Sequence, residues 1–98
     1  MKPFERIIRL IEIHLLIKEE KTGAPIEVAE KFHICRSQFY NIIDELKDYG
    51  AIVKYSRKHR TFYYENDFKI ANTPFWKEEV KYFLEKKLSI HIEWTEGL

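Results

Sequence analysis

The 98-residue chain predicts an α+β fold, mostly α: three core helices, a β-hairpin, a C-terminal helix and a short extended tail. Three observations predict it. Apolar residues recur at helical spacing from Phe4 to Glu20 and again through Pro25–Gly50. A β-branched and aromatic run, Thr61-Phe62-Tyr63-Tyr64, answers Ile52, Val53 and Tyr55 across a basic tip. Asn72-Thr73-Pro74 then reads as a helix start, a capping residue followed by Pro at the first helical position.

The first helix, Phe4 to Glu20, follows Pro3, which suits a helix start. Phe4, Ile7, Ile8, Ile11, Leu15 and Leu16 form one stripe; Leu10, Ile13 and Ile17 form a second, offset one. Two stripes exceed what a small monomer needs. Either the second meets another subunit, or the C-terminal segment covers it within the chain. Gly23 is placed to end this helix or turn the chain. Thr22 or Ala24 is where a short extended segment could begin.

Pro25 opens the second helix. Val28, Ala29 and Phe32 share a face, and Ala29 is the small residue that two close helices need at their crossing. Ile34 lies in the turn. On the third helix, from about Arg36 to Tyr49, the inward residues are Phe39, Ile42, Ile43 and Leu46. Arg36, Ser37, Gln38, Tyr40 and Asn41 lie at the N-terminal end; the acids Asp44, Glu45 and Asp48 come later. Two helices in this layout are a helix-turn-helix, whose second helix offers its N-terminal residues to base edges in the major groove.

The run from Ala29 to Gly50 resembles the winged helix-turn-helix domains of small bacterial transcription regulators. Their motif has the form Ala-Glu-x-Leu-Gly-Ile-Ser-Arg-x-Thr-x-Tyr-x-x-Ile-x-x-Leu-x-x-x-Gly. Ala29, Glu30, Phe32, Ile34, Arg36, Tyr40, Ile43, Leu46 and Gly50 match it in type. The resemblance extends over Phe4 to Asn66, about two thirds of the chain. Two residues depart from it. His33 stands where the family has a turn Gly, a place that wants positive φ. Cys35 stands where the family has an N-cap Ser, and a thiol accepts hydrogen bonds weakly, so the cap either weakens or passes to Ser37.

The resemblance implies double-stranded DNA as the partner and transcription regulation as the role. Arg36 suits guanine or phosphate, and Gln38 and Asn41 suit adenine edges. Tyr40 offers its hydroxyl to phosphate or packs at the helix edge; both readings stay open. The hairpin corresponds to the family's wing, whose basic tip lies against phosphate. Here Lys54, Arg57, Lys58 and Arg60 are the candidate phosphate contacts. The plainer alternatives are a solvated helix face and a charged hairpin that keeps the sheet edge soluble.

After the winged helix-turn-helix unit at 1–70, residues 71–98 form a C-terminal segment for dimerisation or core covering. Its helix, about Pro74 to Lys87, places Trp76, Val80, Phe83 and Leu84 on one face, with Phe75 and Tyr82 away from it. Ile90, Ile92 and Trp94 then alternate with His91 and Glu93, as a strand or extended arm does. So apolar an end, with the first helix, suggests a homodimer presenting two reading helices to a near-palindromic site.

Composition limits the alternatives. Net charge is only +1, which weighs against a strongly basic nucleic-acid binder. The charge is uneven, however: residues 51–70 carry five cations against two acids. The rival reading, a winged helix used for protein–protein contact, draws on that near-neutral total and on Glu27, Glu30, Asp44 and Asp48. One cysteine forms no internal disulfide, as suits a reducing cytoplasm. Charges at Glu5, Arg6, Arg9 and Glu12 interrupt any signal-peptide core, and no stretch reaches membrane-span length. His33 and Cys35 lack the second ligand pair that zinc sites use. With three glycines and no assembled nucleophile and base, neither an enzyme nor a cofactor is expected, and no small-molecule ligand is evident.

Overall fold

A computed structural model describes residues 3–87. The expected tail strand at Ser89–Trp94 lies outside them. The described chain is α+β and mostly helical, with α1 (Pro3–Lys18), α2 (Pro25–Lys31), α3 (Arg36–Asp48), β1 (Val53–Ser56), β2 (Thr61–Tyr64) and α4 (Glu78–Lys87).

Three helix ends are built alike. Each finishes on a left-handed residue whose successor reaches back five residues, a Schellman closure. After α1 the residue is Glu20, φ +57°, with the Lys21 N–H on the Leu16 carbonyl at 2.9 Å. The helix therefore stops before Gly23, so of its two expected roles, ending the helix or turning the chain, the first does not apply. Gly23 serves the loop instead: its φ is +78°, and a Cβ there would stand 2.6 Å from Glu27 Oε2. After α2 the residue is His33, φ +54°, with the Ile34 N–H on the Ala29 carbonyl at 3.0 Å. The left-handed turn expected at His33 is thus present. After α3 it is Gly50, φ +109°, with Ala51 closing on Leu46.

β1 and β2 pair antiparallel, Val53 opposite Tyr64 and Ser56 opposite Thr61. The connecting residues Arg57–Arg60 make a loop longer than a two-residue turn, as the lack of Gly and Pro predicts. The Thr22–Ala24 stretch is not a strand. The Thr22 side chain does the joining: its Oγ accepts the Phe62 N–H at 2.8 Å, and Thr61 Oγ accepts the Thr22 N–H at 3.2 Å. Both threonines are buried. Two hydroxyls thus supply what a third strand's ladder would otherwise supply.

The offset stripe of α1 is the core one. Leu10, Ile13 and Ile17 are buried, in one cluster with Phe39, Leu46, Ile70, Val80 and Leu84. Cover within the chain, one of the two expected alternatives, is what the described residues display. Along the first stripe Ile11 is buried, while Ile7, Ile8, Leu15 and Leu16 are half-buried.

The last helix begins later than its cap signal predicts, at Glu78 rather than Pro74. The Thr73 hydroxyl donates to the Ile70 carbonyl at 2.7 Å and closes a 3-10 turn over Ile70–Asn72. Thr73 itself is extended, as the residue before Pro prefers. The helix waits for Glu78 and Glu79, whose charge suits its N-terminus. Phe75, expected away from the packing stripe, lies against Tyr49 with ring centroids 6.0 Å apart.

Candidate nucleic-acid interface

The N-terminal half of α3 is open on its outer side. Arg36, Ser37, Gln38, Tyr40 and Asn41 are all exposed, while Phe39, Ile42, Ile43 and Leu46 are buried beneath them. The helical spacing of the inward residues produces this division.

Cys35 remains the N-cap; the cap does not pass to Ser37. Gln38, at the third helical position, turns back so that its Oε1 accepts the Cys35 N–H at 3.1 Å. That is the reciprocal arm of a capping box, and it offsets the weakness of a thiol as an acceptor. An N–H can only meet the amide oxygen, so the orientation of the Gln38 amide is settled. Its NH2 group takes no part in that cap. A two-point contact to an adenine edge would need Oε1 as well, and would compete with the cap.

The Cys35 thiol is exposed and lies 3.0 Å from Ser37 Oγ. The Ser37 hydroxyl first, and the Gln38 backbone N–H second, hold its pKa below the ordinary thiol value. No group of His, Cys, Asp and Glu side chains among the described residues is arranged to hold a metal ion.

Tyr40 packs at the helix edge. Its ring meets Phe39 at 5.4 Å and Phe62 of β2 at 6.5 Å, both edge-on, yet 43% of the residue is exposed. The hydroxyl therefore has an anchored ring behind it. Phe62 also meets Phe39 at 5.1 Å and Tyr55 at 4.9 Å. An aromatic cluster thus joins the outer edge of α3 to the hairpin.

At the hairpin, Lys54, Arg57, Lys58 and Arg60 are exposed. The His59 N–H donates to Ser56 Oγ at 3.1 Å, which shapes the tip. Arg60, with φ +52°, is turned toward α2, where its guanidinium pairs with Glu27. The hairpin cations are therefore not equivalent. Arg60 already has a carboxylate.

Sequence reasoning did not single out Arg6. This α1 residue pairs with Glu45 of α3, and Tyr49 OH donates to the same carboxylate at 3.2 Å. Arg6 and Glu45 are 39 residues apart. No local pattern signals their meeting, which packing of α1 across α3 produces. With Gln38, Asn41 and Ile42 they line a groove of about 320 Å³.

The chain matches no family model, no curated protein and no solved structure.

Proposed function

We propose that this protein binds double-stranded DNA sequence-specifically, as a winged helix-turn-helix transcription regulator acting as a dimer. The observation that carries the reading is the contact between Tyr40 and Phe62, which ties the exposed polar end of α3 to the basic hairpin. The order of three helices and then a hairpin supports it. On this reading Arg36, Ser37, Gln38, Tyr40 and Asn41 meet the major groove, and Lys54, Arg57 and Lys58 hold phosphate. Arg60 acts at the phosphate only by exchanging Glu27 for it. The pair is exposed and worth about 0–1 kcal/mol, so the exchange costs little. For the dimer, half-buried Ile8 and Leu16 on α1 and exposed Tyr82 on α4 supply apolar surface.

The test is fluorescence anisotropy with a labelled random-sequence duplex across a salt series. The wild-type protein is expected to bind at low salt. Arg57→Ala with Lys58→Ala should weaken binding alike for all sequences and lower the salt slope by about 2. Absence of binding at low salt would sink the reading. The second reading, a protein-docking domain, is favoured by two exposed apolar side chains, Ile26 at 56% and Ile52 at 45%. It expects no duplex binding at any salt concentration.

A further inference from the structure

The groove between α1 and α3 lies on the far side of the α3 surface from the hairpin. Tyr40 marks the hairpin side through Phe62. Gln38, Asn41 and Glu45 border the groove, at about 100–160° around the helix from Tyr40 by ideal helical geometry. Ser37 falls between these edges. The exposed face of α3 therefore lies between two flanks, the Phe62 side of the hairpin on one and Arg6 on the other.

A helix seated in the major groove has a phosphate strand on each side, with the groove about 12 Å wide. The hairpin serves one strand. We propose that Arg6 serves the other, as a phosphate-binding residue in the α1–α3 groove, held ready by Glu45. The inference rests on the DNA-binding reading above. Several features of the site favour it. The Arg6 side chain is 64% exposed, whereas Glu45 is 17% exposed and fixed. One guanidinium nitrogen faces Glu45, and among the described residues the remaining donors of the fork are left for an anion. Glu45 keeps its hydrogen bond from Tyr49 OH when Arg6 shifts, so its carboxylate is not left bare. Gln38 borders the same groove and keeps its NH2 outside the cap. Asn41 supplies another amide beside it.

The test uses the full chain and a random-sequence duplex, with affinity followed by anisotropy over a salt series. Arg6→Gln removes the charge and is expected to lower the salt slope by about 1, equally for all sequences. Arg6→Lys keeps the charge and should retain the slope. In the wild-type protein, the Arg6 side-chain NMR resonance should shift as duplex is added. If Arg6→Gln leaves the slope unchanged while Arg57→Ala with Lys58→Ala lowers it, the inference is overturned and the DNA reading stands. A slope lowered as much in Arg6→Lys as in Arg6→Gln also overturns it, since charge is then not the cause. If Arg6→Gln fails to fold, an Arg6 resonance that stays fixed while other α3 resonances shift overturns it. No duplex binding by the wild-type protein overturns both the inference and the reading.

Discussion

Tyr40 on α3 and Phe62 on β2 meet edge-on with ring centroids 6.5 Å apart, 22 residues apart in sequence. This contact gives Tyr40 two separable properties, a packed ring and a hydroxyl at its tip. Tyr40→Ala should cost about 1 kcal/mol of stability by loss of the aromatic pairs. Tyr40→Phe should melt like the wild type. If its affinity for duplex nevertheless falls, the hydroxyl contacts the DNA. Equal affinity would assign Tyr40 to packing alone.

Thr22 carries the hairpin's attachment to the loop after α1. Thr22→Val keeps the shape and removes the acceptor of the Phe62 N–H. A buried N–H without a partner costs about 1–3 kcal/mol. Denaturant unfolding should record a loss of that size. Hydrogen exchange at Phe62 should accelerate more than at Leu46 in α3. Uniform acceleration would show that Thr22 is not a local stitch.

His14 is a buried imidazole. Its Nδ1 lies 2.7 Å from Tyr64 OH, and its Nε2 is buried without a partner among the described residues. Burial first, and Lys18 second, lower its pKa from 6.5 to about 4. The unfolded chain therefore binds this proton more readily than the folded one. This contribution leaves stability unaffected above pH 6.5, reduces it as pH falls, and levels off below about pH 4. The total loss is about 3 kcal/mol at 1.36 kcal/mol per pH unit. Unfolding followed from pH 7 to pH 4 should record it, and His14→Phe should remove that part of the dependence. A His14 ring that titrates near 6.5 by NMR would contradict the account.

Gln38 divides its amide between structure and ligand. Gln38→Glu keeps an oxygen for the Cys35 N–H and removes the donors. It should leave helix stability within about 0.5 kcal/mol, whereas Gln38→Ala should lose about 1 kcal/mol of cap. On the DNA reading, wild-type selection from a random duplex pool should favour acceptor-bearing edges such as guanine opposite Gln38. Gln38→Glu should shift that position toward cytosine, whose N4 donates. Adenine enriched over guanine by the wild type would mean that Oε1 leaves the cap to accept from the adenine N6.

Leu84 tests how far the C-terminal helix belongs to the core. It is buried in the cluster that includes Leu10 and Phe39. Leu84→Ala should cost about 2–5 kcal/mol in one cooperative transition. A small loss, or a separate early transition, would detach α4 from the core.

The sequence by itself determined the helical register of α1, α2 and α3 and the position of the hairpin. Their side-chain periods and the β-branched run are local properties, which neighbours in sequence suffice to express. The left-handed turn at His33 is expected from the resemblance, whose motif has a Gly at that place, and the Ile34 N–H on the Ala29 carbonyl closes it. The sequence misplaced the start of α4. Asn72 and Thr73 carry the same chemistry whether they cap a following helix or close a preceding 3-10 turn, and the Thr73 hydroxyl on the Ile70 carbonyl makes the second. Tertiary structure alone decided which stripe of α1 is the core, that Thr22 replaces a strand, and that Arg60 and Arg6 each face a carboxylate from a different element. These depend on groups 33 to 40 residues apart brought within hydrogen-bonding reach, and no pattern along the chain encodes that distance.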